Sequence, residues 1–327
     1  MRPLGKTNVA RDQGELDCLS KVLSTQIPNL HKIHFGKGRE YSEGLTDRDI
    51  ATLLSSCRYG LKVVEITHNL EFHGASVAAL AQHYPTLEAL AIGDTKFESN
   101  ELLLLLTSTP KLQTLISIDD GYYEQWPQTS IESRAFIDLE PVTNSPTPWA
   151  CESTLKELRI RITGIPRPDL GRQQGVVEEV YAGQGREIQI QVYERLARFT
   201  NLESLWLGSN PSIQQFDSSP EREQRDCIEM SLENGLDKLG GLKELRVLSL
   251  AHMNTRIGLK EVQWMVENWP KLHVIRGLGD EGNESDDEDE EDEDETEYEK
   301  ILDWLEEHCP EILVLDSDTD MVDNYLY

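Results

Sequence analysis

The chain has 327 residues, with 31 Lys and Arg set against 60 Asp and Glu, for a net charge of −29. That balance leaves no basic stripe for duplex nucleic acid and disfavours an anionic membrane surface. The longest aliphatic run, Leu102 to Leu106, falls far short of the ~20 residues needed to span a bilayer.

The first 27 residues show no apolar segment of the secretory kind. Leu16, Leu19 and Leu23 predict one short helix there, an N-terminal cap over 1–27. From Pro28 onward one phrase returns, Leu-x-x-Leu-x-Leu. It reads Leu30-His-Lys-Ile33-His-Phe35, Leu61-Lys-Val-Val64-Glu-Ile66 and Leu87-Glu-Ala-Leu90-Ala-Ile92. It continues at Leu112, Leu155, Leu202, Leu245, Leu272 and Ile312. Leu61 to Leu87 is 26 residues, Leu87 to Leu112 is 25 and Leu245 to Leu272 is 27. Such a period holds a strand, a turn and a helix. A unit of that size cannot bury its own apolar edge, so copies must stack.

The gaps carry helical patterns. Thr46-Asp-Arg-Asp49 is a capping box, with Leu45 and Ile50 placed as a hydrophobic staple. Ile50, Leu53, Leu54 and Cys57 then mark a helix buried along one stripe. The same spacing recurs at Val77–Tyr84, Ile188–Phe199, Ile228–Leu239 and Leu259–Trp269, and a last helix holds Ile301, Leu302 and Leu305. Strands joined through helices must run parallel. The expectation is an α/β leucine-rich-repeat solenoid, a horseshoe spanning 28–327. It has a parallel concave sheet, helices outside, and loop insertions near 118–150, 163–185, 208–222 and 278–297. Residues 280–299 form an acidic low-complexity insertion with fifteen acids and no base.

Side chains alternate across a strand, so the residues beside each second leucine face the open side. Lys32, His34, Glu65, Arg159, Trp206 and Arg276 are the candidate partner-binding residues of that face. Trp206 fits an interface anchor and equally a residue packed beneath an insertion. If Trp206 and Arg159 are contacts, alanine there weakens binding and spares the melting point. Trp126 and Trp149, in the 118–150 insertion, read as packing residues.

No catalytic motif stands out, and the chain reads as a non-enzyme without cofactor or metal. Gly277-Leu-Gly279-Asp-Glu-Gly282 has dinucleotide-binding spacing, but Asp280 and Glu281 would repel a pyrophosphate. Asp316-Ser-Asp318-Thr-Asp320 starts like a calcium loop but lacks the glycine and the bidentate Glu. His31 and His34 lie three apart, a spacing that points them to opposite faces of a strand. Ser285, followed by Asp286-Asp-Glu, suits an acid-directed kinase. The five cysteines, Cys18, Cys57, Cys151, Cys227 and Cys309, are scattered without a Cys-x-x-Cys and read as buried, reduced thiols. A cytoplasmic or nuclear protein follows.

Several phrases resemble those of fungal F-box-type leucine-rich-repeat proteins. They include Gly44-Leu-Thr-Asp47, Pro148-Trp-Ala-Cys151-Glu-Ser-Thr-Leu155, Ile165-Pro-Arg-Pro-Asp169 and Gln191-Val-Tyr-Glu-Arg-Leu196. Gly235-Leu-Asp-Lys-Leu-Gly-Gly-Leu242 and Ile257-Gly-Leu-Lys-Glu-Val-Gln-Trp264 belong with them. The resemblance spans roughly residues 40 to 315. It implies the substrate receptor of a ubiquitin ligase, in which an F-box docks on a Skp1-like adaptor and the repeats hold a protein target. The residues before the first repeat show no Leu-Pro start of an F-box. Two other functions fit the same features: a GTPase-activating repeat protein, and an acidic binder of histones or other basic proteins.

Overall fold

A strand of three or four residues has too few hydrogen bonds to hold itself, so each copy of the repeat depends on its neighbours. The computed structural model describes residues 13–25, 29–35, 45–67, 69, 71–93, 95–118, 129–137, 147–165, 179–208, 228–251, 253, 257–278 and 296–316. Within these, eleven strands follow in chain order. They are β1 (Lys32–Phe35), β2 (Val63–Ile66), β3 (Ala89–Ala91), β4 (Thr114–Ile116), β5 (Ser130–Glu132) and β6 (Glu157–Arg159). Then come β7 (Arg161–Thr163), β8 (Ser204–Trp206), β9 (Val247–Ser249), β10 (Val274–Arg276) and β11 (Leu313–Leu315).

Nine of them form one sheet in the order β1-β2-β3-β4-β6-β8-β9-β10-β11, with every pairing parallel. All nine copies of the leucine phrase are in it. The pairing register carries one row through every copy: Ile33, Val64, Leu90, Leu115, Leu158, Leu205, Leu248, Ile275 and Val314. From Val64 to Ile275 this row is sealed from solvent. It shares a single core with helix residues such as Leu54, Leu80, Leu106, Leu196, Val262 and Leu305. Each such leucine contributes about 2 kcal/mol of transfer free energy. A one-residue slip in any strand would turn its row toward water.

The helices are α1 (Gln13–Thr25), α2 (Asp47–Ser56), α3 (Gly74–Leu80), α4 (Ser99–Ser108), α5 (Ser133–Ile137) and α6 (Glu179–Leu196). Leu259–Asn268 and Glu297–His308 follow as α7 and α8. The predicted box is present: Thr46 Oγ1 accepts from the Asp49 amide, and Asp49 accepts from the Thr46 amide. Thr296 and Glu299 close the same box on α8.

Several further polar groups of the helix ends are met by the neighbouring repeat. Asp47 accepts from the amides of Ala75 and Ser76 at the start of α3, 3.0 and 2.8 Å away. Burial pushes its carboxyl up, but the hydrogen bonds from Ser76 and Ala75 prevail and hold it below the usual range. Glu297 accepts from the Leu259 amide at the start of α7. At the other end of the helices, His83 Nε2 lies 3.0 Å from the Leu54 carbonyl. Cys151 Sγ donates to the Leu106 carbonyl and Trp269 Nε1 to the Leu239 carbonyl. His83 Nδ1 accepts from the Leu61 amide, so the proton sits on Nε2 and the ring is neutral. Burial lowers the His83 pKa and raises that of the Cys151 thiol to about 12.

Two predicted insertions hold ordered structure. β5 and β7 pair in parallel as a second, two-stranded sheet, and α5 follows β5. The 163–185 interval runs into α6, whose first residue is Glu179. Arg195 of α6, fully buried, anchors this region. It donates to the carbonyls of Ile137 and Thr147 and pairs with Glu152 at 3.2 Å. Its guanidinium lies 4.6 Å from the Trp149 ring, which packs against Phe136 and Phe199. Trp149 is thus a packing residue, as its place in the sequence suggested. Trp126 lies outside the described residues.

Three expectations need correction. The stripe Ile228, Leu232, Leu236, Leu239 does not form an α-helix. It forms two short 3-10 turns, Leu232–Asn234 and Leu236–Gly241, separated by Gly235 at φ 106°. That left-handed residue, free of a Cβ penalty, interrupts the ladder. Cys57, Cys151 and Cys309 are buried, but Cys18 is exposed, because α1 turns only part of its surface to α2. Leu23 is buried and Leu19 is 47% exposed for the same reason. The acidic stretch does not run unbroken to 299, since Glu297 and Glu299 belong to the first turn of α8.

Two outcomes follow. Arg195→Ala should lower the unfolding free energy by about 2–5 kcal/mol, since it leaves the Ile137 and Thr147 carbonyls unmet and a cavity beside Trp149, while Glu152 keeps Arg198. Arg198→Ala removes a half-exposed partner of the same Glu152 and should cost under about 1 kcal/mol. Equal denaturant midpoints for the two variants would contradict this arrangement. His83 has a folded-state pKa below its unfolded value of about 6.5. Its contribution is complete above that pH and is lost as pH falls from there toward the folded pKa. Stability measured across that window should fall with acid, and His83→Gln should flatten the profile.

Candidate protein-binding surface

The open face of the sheet carries two rows in register. One is Lys32, Val63, Ala89, Thr114, Glu157, Ser204, Val247, Val274 and Leu313. The other is His34, Glu65, Ala91, Ile116, Arg159, Trp206, Ser249, Arg276 and Leu315. None of these side chains belongs to the core shared with the helices. The six residues nominated from the sequence therefore all lie on one face and in two adjacent rows.

Their accessibility differs along the sheet. At the β1 end, Lys32 and His34 are exposed and both reach Glu65 on β2. The Lys32 ammonium is 2.5 Å from Glu65 Oε1, and His34 Nδ1 is 2.8 Å from Oε2. Burial raises the Glu65 pKa, but these two hydrogen bonds outweigh it, and the carboxyl sits below its ordinary value. Apart from Glu65, the rows across β2, β3 and β4 are uncharged: Val63, Ala89, Ala91, Thr114 and Ile116, all half-buried.

Beyond β6 the face closes on itself. Trp206 is only 3% exposed, although its strand position points it away from the helices. Val247, Val274 and Leu315 pack against it as a second apolar cluster separate from the main core. The Arg159 guanidinium lies 3.9 Å from the ring centroid and that of Arg276 5.6 Å, distances that favour cation–π attraction. The indole N–H donates to Ser204 Oγ. Arg159 is fixed in turn by Glu157, at 2.7 Å. Sequence alternation gave Trp206 and Arg276 the correct side but not this burial. The clustering arises because β8, β9 and β10 place an indole, two valines and a guanidinium side by side.

A line of exposed ion pairs runs just before the strands: Lys62 with Glu88, Lys156 with Glu203, and Lys271 with Glu244. Exposed pairs of this kind contribute little to stability. Ser285, the predicted phosphorylation site, lies outside the described residues, as do Gly279 to Gly282 and the calcium-like segment after Asp316. Among the described residues, no group of three His, Cys, Asp or Glu is arranged to hold a metal ion. No described helix is long and apolar enough to cross a membrane.

Because Trp206 holds a buried cluster together, Trp206→Ala should cost about 3–5 kcal/mol of stability. Lys32→Ala should leave the melting transition within about 1 kcal/mol of the parent. A Trp206→Ala protein that melts with the parent would disprove the cluster.

Comparison with known proteins adds little. No protein-family model matches the chain, and no curated protein matches it. A solved yeast structure, a complex of Rad7 and Elc1, shares 15% identity with it. That match covers 82% of this chain and 83% of the other, at a TM-score of 0.31, too low to bear on fold or function.

Proposed function

We propose that the chain is a non-catalytic leucine-rich-repeat scaffold that holds a protein target against the open face of its sheet. The observation that carries this is the contrast between the rows. The inner row is uniformly aliphatic, whereas the outer rows change from cation to small apolar to aromatic along the stack. Packing explains the first and demands nothing of the second over β1 to β4. A solenoid curved into a horseshoe would make this face concave, the form in which repeat proteins present extended binding surfaces.

The finer reading is target recognition within an F-box-type ubiquitin ligase, cytoplasmic or nuclear. It rests on the sequence phrases that resemble fungal F-box-type repeat proteins. Engagement of a Skp1-like adaptor belongs to that reading.

Affinity capture from source-cell extract, compared between the parent and Lys32→Glu/Glu65→Arg, tests the proposal. Proteins captured by the parent and lost from the double variant, at unchanged thermal stability, support the open face. Identical capture by both would refute it. A Skp1-like adaptor among the captured proteins supports ligase membership. Its absence from full-length captures removes that part. A Ran-like GTPase or histones in its place would favour the other readings of the sequence.

A further inference from the structure

The first residue of the leucine phrase is buried, so its amide needs an acceptor inside the protein. In seven described copies that acceptor is a carbonyl of the same turn, three or four residues back. Leu87 donates to His83 in this way, Leu155 to Cys151 and Leu272 to Trp269. Leu61 differs. It follows Gly60, held in a left-handed turn at φ 81°. Its amide donates to His83 Nδ1 of the next repeat, 3.1 Å away. The other ring nitrogen of His83 lies 3.0 Å from the Leu54 carbonyl, near the end of α2. One imidazole, 2% exposed, therefore ties two backbone groups of one repeat to the helix segment of the next.

This tie holds only while the ring is neutral. A proton on Nδ1 would meet the Leu61 amide donor to donor, and the hydrogen bond would be lost. The new cation would also be cut off from water. The surroundings do not offset that cost. Burial and the Leu54 carbonyl are the influences on His83, and no carboxylate adds to them. On the α2 side stand the Cys57 thiol, pushed up by burial and donating to the Leu53 carbonyl, and the exposed Arg58. On the strand side Lys62 and Glu88 pair in solvent. Beside His83 in its own segment, burial and then Glu101 of α4 push the Tyr84 hydroxyl up to about 12.

The equivalent positions of other repeats do not respond to mild acid. Thr109 and Trp269 carry no group that ionises there, and burial pushes the Cys151 and Cys309 thiols up. At the opposite ends of α2 and α3, Asp47 holds the Ser76 and Ala75 amides with a carboxyl below its usual range. That contact outlasts the loss of the His83 contact as pH falls.

We infer that the α2–α3 junction is an acid-sensitive hinge, in which protonation of His83 frees the end of α2 and the Gly60–Leu61 turn while Asp47 keeps the other ends of the two helices together. β2 begins at Val63, two residues beyond Leu61, so the strand that carries Glu65 yields with the turn. The other described junctions stay closed.

Hydrogen–deuterium exchange of the full chain, resolved by peptide and corrected for intrinsic rates, tests this. It is run at about pH 7.5 and about pH 5, on either side of the ordinary histidine value of about 6.5. The His83 contribution is complete above that value and is lost as pH falls from it toward the folded pKa. Peptides covering 54–66 should lose protection in acid by at least about tenfold, the factor given by a folded pKa one unit lower. Peptides around Leu155 and Leu272 should keep theirs. His83→Gln retains a donor and an acceptor without ionising in this range, and His83→Cys copies the solution found at Cys151. Each should abolish the acid effect at 54–66, and either serves if the other does not fold. Acid loss spread evenly over the repeats would overturn the inference. So would unchanged protection at 54–66, or an acid effect there that persists in the variants.

Discussion

The structure depends on one row of aliphatic side chains held in register across nine parallel strands. Each strand is so short that its own hydrogen bonds amount to a single turn of ladder. Position is supplied instead by the wall of helices, which accepts only a branched aliphatic at the middle of each strand. Leu90, Leu115, Leu158, Leu205 and Leu248 fill that role alike, Ile275 fills it with one methyl moved, and Val64 with one carbon fewer. Everything on the open face inherits its placement from this row. The side-chain period of two fixes which residues turn outward, and the shared register aligns them into continuous lines.

A stack of this kind must also satisfy the polar ends of its helices, which no isolated unit can do. The chain uses the neighbour in both directions. Asp47 and Glu297, at the first turns of α2 and α8, accept the orphan amides of α3 and α7. His83, Cys151 and Trp269 approach the carbonyls that end the preceding helical segment. Three chemically unlike side chains do one job because each brings a single N–H or S–H to a buried oxygen. Leaving such an oxygen unmet costs about 1–3 kcal/mol. The repeats are thereby coupled by hydrogen bonds as well as by apolar contact, and neither kind of coupling touches the open face.

Much of this was legible in the sequence. Nine leucine phrases gave nine strands, their direction and their outward residues, because burial and the period of two leave no other solution. The capping box at Thr46 was legible for the same reason: its geometry is local. Features that depend on distant partners were not. β5 and β7 carry no leucine phrase and meet only because the chain returns past β6. The stripe from Ile228 to Leu239 correctly marks what is buried, yet burial pattern does not distinguish an α ladder from two 3-10 turns. The Gly235 and Gly240–Gly241 interruptions were the available signal. For the helix-end donors the signal lay three or four residues before the first leucine of a strand, where His83, Cys151 and Trp269 stand ahead of Leu87, Leu155 and Leu272. Alternation placed Trp206 on the open face, but its burial depends on Arg159 and Arg276 from other copies.

The closing of the face around Trp206 bears on where a partner fits. An indole that already has apolar neighbours on three strands and guanidinium groups beside it gains little from a further contact, because it is only 3% exposed in the free protein. Affinity comes from surface that changes state on binding. On this sheet such surface runs from Lys32 to Ile116, where side chains are exposed or half-buried and the ion pairs are weak enough to exchange. The aromatic residue most like an interface anchor in the sequence thus serves to stiffen one end of the face. The stiffened end fixes β6 and Arg159 as the boundary of the part of the face that stays accessible.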